Sequence, residues 1–117
     1  MQDVPMSCGD VLWPLQARDY QDAWIRWDRA GYERHVAKRP ETAGWHQAIG
    51  QTLADPDLVV ELPGGGTGYY RKGVVTGKQR NCFLYVIVRW YGALGDIATA
   101  FPVTKTQPYE RLVRFRK

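Results

Sequence analysis

The chain has 117 residues, 44% hydrophobic and 24% charged, a length and balance that fit one globular domain with its own core. Its longest apolar run, "CFLYVIV", is strand-sized and far short of a membrane span, and the two cysteines, Cys8 and Cys82, form neither a disulfide framework nor a CxxC zinc spacing. The net charge of +4 is unevenly placed: residues 1–60 hold six Lys/Arg against nine Asp/Glu, whereas residues 61–117 hold ten against three, which points to a polyanionic partner for the second half.

"MQDVPMSCGD" lacks a basic region followed by an apolar run, so no secretion signal is read there and a cytoplasmic location is expected. "DVLWPL" is a short edge strand or an arm. From Ala17 to Arg39 the spacing of Ala23, Trp27 and Ala30, then of Tyr32 and Val36, predicts one helix or two, with Gly31 as the break and Pro40 as the stop. A second helix is expected after Thr42 as N-cap, carrying Trp45, Ile49 and Leu53 on one stripe and ending at "ADPD".

Beyond residue 57 the period changes to two. Five strands are predicted, in "LVVEL", "YYRKGVV", "CFLYVIVRWY", "DIATAFPV" and "RLVRF". The third is apolar on both faces and belongs at the sheet centre. Short connections argue for antiparallel neighbours. The expected fold is α+β: two or three N-terminal helices on one face of a twisted, mostly antiparallel sheet of four to five strands.

Several chemistries are disfavoured. Ser7 is the only serine, and it lies near the terminus. "GGGTG" lacks the Lys-Ser/Thr ending of a phosphate-binding loop and leads into a strand, so it reads as a hairpin turn. His35 and His46 are eleven residues apart on separate helices with no acidic cluster, so no metal site and no cofactor are expected. What remains is acid/base and electrostatic chemistry. His35 is the candidate proton carrier, with Arg39 one turn away favouring its neutral form; His46 borders the apolar stripe and reads as structural. In "YYRK", Tyr69 and Arg71 share one face and Tyr70 and Lys72 the other, so whichever face meets solvent pairs a ring with a cation. Thr99, between two alanines, either fills a β position or offers its hydroxyl to a phosphate oxygen.

The succession of "RHVAKRPE", "LADPDLVVE", "YYR" and "TAFP" resembles the phage-type nuclease branch of the barnase, EndoU, colicin and RelE ribonuclease superfamily, over roughly residues 27–103. That leaves residues 1–26 as an N-terminal arm or helix and residues 104–117 as a basic strand or tail of the same single domain. The resemblance implies metal-independent RNA cleavage of a toxin or mobile-element kind, by 2′-hydroxyl attack giving a cyclic phosphate. His35, Arg39, Tyr70, Arg71 and Thr99 match its motif positions as catalytic residues. Lys38, Tyr69, Lys72, Lys78, Arg80 and Lys105 are the expected RNA contacts. The competing expectations are a non-catalytic nucleic-acid-binding domain on the same scaffold and an interaction domain bound by an antitoxin or immunity protein through the tryptophan-rich segment.

Overall fold

The computed structural model describes residues 15–74, 82–106 and 112–117. Along the chain these form β1 (Leu15–Arg18), β2 (Trp24–Trp27), α1 (Arg29–Lys38), a 3-10 turn (Pro40–Thr42), α2 (His46–Ala54), β3 (Leu58–Glu61), β4 (Thr67–Lys72), β5 (Phe83–Tyr91), β6 (Leu94–Val103) and β7 (Leu112–Arg116). The strands make one seven-stranded sheet in the order β1-β2-β6-β5-β4-β3-β7. Every pairing is antiparallel except that of β2 with β6.

The sheet is therefore mixed and larger than the four to five strands expected, and two α-helices accompany it among the described residues. All five expected strands form, as β3 to β7. The other two come from residues 15–27, of which the stretch from Ala17 on was expected to be helical. "DYQD" there is a turn: the Asp19 carboxylate accepts from the backbone N–H groups of Gln21 and Ala23, both at 2.9 Å, and Asp22 adopts φ 69°. Such Asx chemistry competes with helix formation. Beyond it Trp24, Ile25, Arg26 and Trp27 alternate exposed and buried, the period of a strand. The helical spacing of Ala23, Trp27 and Ala30 was a coincidence of two overlapping patterns.

Two other details differ. Gly31 does not break a helix but sits in the first turn of α1, where Asp28 caps its N–H at 2.7 Å. A Cβ there would lie 3.1 Å from the Asp28 carboxylate and 3.3 Å from the Trp27 ring nitrogen. Thr42 does not cap α2. It ends the 3-10 turn, with its hydroxyl donating to the Arg39 carbonyl at 2.7 Å, and α2 begins four residues later at His46.

The two sheet faces are built differently. On one, Ile49 and Leu53 of α2 pack with Ile25, Trp27, Val59, Tyr69, Leu84, Val86, Val88, Ile97 and Ala100. Each fully buried aliphatic side chain of this kind contributes about 1.5–3 kcal/mol. On the other, Leu58, Val60, Tyr70 and Tyr85 form a second cluster with Leu62, Phe83, Ile87, Phe101 and Val103, to which neither helix contributes. Tyr85 stacks on Tyr70 with centroids 4.2 Å apart and planes at 9°. Gly68 makes this possible, because a Cβ there would come within 2.7 Å of the Tyr85 ring. β5 supplies both clusters and occupies the centre of the sheet, as its two apolar faces require.

Candidate nucleic-acid interface

α1 buries little. His35 is its one buried residue, 8% exposed, on a helix otherwise half-buried or open to solvent. A helix that spends its inward position on a titratable ring, rather than a leucine, calls for an explanation. The ring rests against Trp27, centroids 5.0 Å apart and planes at 56°. Its Nδ1 lies 3.3 Å from Thr99 Oγ1, while Nε2 is buried with no hydrogen-bond partner among the described residues. The Trp27 ring nitrogen is likewise buried and unpartnered.

The topology explains how helix and strand meet. β2 pairs with β6 only through Ile25–Gly95 and Arg26–Asp96, then ends, and α1 continues alongside the free length of β6. His35 faces Thr99, and four residues on the Arg39 guanidinium lies over the Phe101 ring, 4.6 Å from its centroid. Four helical residues advance about 6 Å and two strand residues about 6.6 Å, so helix and strand run in step. The β5/β6 register also shifts here: Ile87 pairs with Thr99 but Val88 with Ile97, leaving Ala98 as the extra residue of a bulge. Bulges re-aim side chains, and this one sets where Thr99 points.

Between α1 and β6 lies a cleft of about 440 Å³, lined by Trp27, Asp28, Gly31, Arg34, His35, Lys38, Arg39, Arg89, Asp96, Ile97, Ala98 and Thr99. Four cations converge on it from three elements: Arg34 and Lys38 from α1, Arg39 from its end and Arg89 from β5. None of the four is in an ion pair among the described residues. Two carboxylates, Asp28 at the N-cap of α1 and Asp96 on β6, line it as well.

Burial lowers the pKa of His35 and the Arg39 charge adds to this, against the Ala100 backbone and Glu41. The ring is therefore neutral at pH 7. Asp96 is shifted the other way: burial raises its pKa first and the neighbouring Asp28 charge second, with Arg26 opposing.

His35, Lys38, Arg39 and Thr99, all singled out in the sequence, thus meet in one cleft. Tyr70 and Arg71 are not part of it. Tyr70 is 2% exposed and stacked in the second cluster, and Tyr69, 1% exposed, donates its hydroxyl to Asp19 at 2.7 Å. Neither ring is offered to solvent, so the expectation of an open ring beside a cation fails: the sheet is apolar on both faces at β4. Arg71 donates to the Asp55 carboxylate at 2.9 Å and to the Asp55 carbonyl at 2.6 Å, at the end of α2. Lys72 is exposed on the same strand, with its ammonium 5.7 Å from the Phe83 ring. Lys105 lies on a separate groove. Lys78, Arg80 and Cys8 lie outside the described residues. No group of three or more His, Cys, Asp or Glu able to hold a metal occurs among the described residues, and no described helix is long and apolar enough to cross a membrane.

Sequence reasoning missed Arg89, Asp96 and Trp27. The signal for Arg89 was its interruption of an otherwise apolar strand, and for Asp96 its position opposite Arg89 across the tight β5–β6 turn. Comparison with protein-family models, curated proteins and solved structures gives no match.

Proposed function

We propose that the chain binds RNA through the α1/β6 cleft and cleaves it without a metal, by attack of a ribose 2′-hydroxyl on the adjacent phosphate. The carrying observation is the His35–Thr99 contact at 3.3 Å inside a cleft lined by four cations that have no ion pair among the described residues. Guanidinium groups match phosphate oxygens and stay charged throughout, so Arg34, Arg39 and Arg89, with the Lys38 ammonium, hold the phosphate and offset the charge that builds on it.

His35 is too deep to meet a ribose directly, whereas Thr99 is only half-buried and lines the cleft. The proton path therefore runs through the hydroxyl. The 2′-hydroxyl gives its proton to Thr99 Oγ1 as the threonine proton passes to His35 Nδ1. The 2′-oxygen bonds to phosphorus, the bond to the 5′-oxygen breaks, and that oxygen takes its proton from a water molecule in the open cleft, whose hydroxide is neutralised by the proton held on His35. The products are a 2′,3′-cyclic phosphate and a 5′-hydroxyl end.

The test is incubation of the purified protein with total RNA in EDTA, followed by analysis of the ends. Cyclic phosphates that appear with the wild type and vanish with His35→Ala support the reading; their absence from the wild type, or persistence in the variant, overturns it. The depth of the His35 ring favours a second reading, in which the cleft binds RNA and the imidazole serves only the core. Under that reading RNA binding is retained and no cyclic ends form.

A further inference from the structure

The sheet face turned away from α2 carries a groove of about 850 Å³, more apolar than the cleft, whose lining includes Tyr85, Ile87, Phe101, Pro102, Val103 and Lys105. Two observations join it to the cleft. Arg39 lines the cleft while its guanidinium lies over Phe101, which lines the groove. Thr99 and Phe101 are two apart on β6, opposite Ile87 and Tyr85 of β5, so the hydroxyl proposed to relay the proton stands on the same face as the aromatic ring, about 6.6 Å along. That separation is within the reach of one nucleotide. The Phe101 ring is held by the edge of Tyr85, centroids 5.5 Å apart, so its orientation is fixed before any ligand arrives.

We propose that this groove is a base-binding subsite: an unpaired nucleobase, next along the strand from the phosphate in the α1/β6 cleft, lies against Pro102 and the part of the Phe101 ring that Arg39 leaves open, beside the guanidinium. The idea rests on the RNA reading and narrows it to single strands. A duplex keeps each base face against its neighbours in the stack and cannot turn one into the groove, whereas a single strand can splay its bases onto an aromatic or guanidinium plane. The chemistry of the walls fits this occupant, since they are apolar where a base would lie and cationic, at Arg39 and Lys105, where the flanking phosphates would pass.

The experiment measures binding by fluorescence anisotropy to two single-stranded oligonucleotides of equal length, fully 2′-O-methylated so that they are not cut, one with all its bases and one with abasic nucleotides. Base stacking on an aromatic side chain predicts that wild-type protein prefers the base-bearing strand by about 5- to 150-fold at the same salt. Phe101→Ala brings that ratio close to one, and Phe101→Leu, which keeps most of the apolar volume, lies between. Equal binding of both strands by the wild type removes the subsite while leaving the RNA reading intact, and points to a protein segment as the occupant. Failure to bind either strand removes both. A ratio that survives in both variants, with melting curves showing them folded, places the base elsewhere and overturns the proposal. The wild-type comparison needs no variant, so a substitution that unfolds the chain does not blunt it.

Discussion

Arg71 and Arg89 sit on neighbouring strands of one sheet, and in the sequence both are cations beside aromatic residues. Their surroundings make them different groups. The Arg71 guanidinium is held by the carboxylate and the carbonyl of Asp55, which also pairs with Lys117 at 2.9 Å, while Asp57 lies 3.7 Å from the same ammonium. The Lys117 hydrogen bond, more than the Arg71 charge, keeps the Asp55 carboxyl below its ordinary range. Arg89 has no ion pair among the described residues and faces a cleft with three further cations. Availability to a phosphate is set by the carboxylates nearby, not by the residue type.

The sharpest way to break this contrast is catalytic. Loss of the His35 imidazole should lower the rate of RNA cleavage about 10²- to 10⁴-fold while changing affinity far less, as single-turnover assays with labelled RNA would resolve. An equal loss of binding would mean that the ring only supports the cleft. Next in size is the salt dependence of binding. Lys38→Ala and Arg89→Ala should each reduce the slope of log affinity against log salt by about 0.7, the value for one phosphate contact with a single strand, whereas Arg71→Ala should leave the slope unchanged. A fall with Arg71→Ala would show that Asp55 gives it up on binding.

Tyr69→Phe separates folding from function. Without the hydroxyl, the Asp19 carboxylate loses a buried donor, and urea unfolding should show a loss of about 1–3 kcal/mol with RNA affinity unaltered. An RNA defect at unchanged stability would instead return Tyr69 to the binding surface. The smallest expected effect is on acid stability. Burial lowers the pKa of both His35 and His46 in the folded chain, so the unfolded chain takes up protons first as pH falls below about 6.5. Their contribution is complete above that value and declines as pH falls towards the folded values. Urea midpoints should drop between pH 7.5 and 5.5, and less steeply in a His35→Gln variant.

The strands after residue 57 were legible because burial on both sides leaves a plain apolar signature in β5 and β4 begins just beyond a glycine turn. The β1–β2 hairpin was not. Its strands are four residues each, and its turn is written in two aspartates that a helical periodicity search passes over. At the site, His35 and Thr99 could be named from residue chemistry, but their contact depends on a 64-residue separation closed by the parallel β2/β6 pairing, which no local pattern carries. Arg71 was misread for the same reason: Asp55 lies sixteen residues away, and only the antiparallel return of β3 and β4 brings the pair together.

β2 gives β6 two residue pairs and then yields to a helix at Asp28, leaving residues 97–103 of β6 without a strand on that side among the described residues. The concavity is in this sense a missing piece of ladder, with α1 acting as a strut that keeps the gap from zipping shut. Prolonging β2 by a few residues would add main-chain hydrogen bonds to the sheet and close the opening in the same stroke, so robustness and ligand access are set against each other at a single capping aspartate.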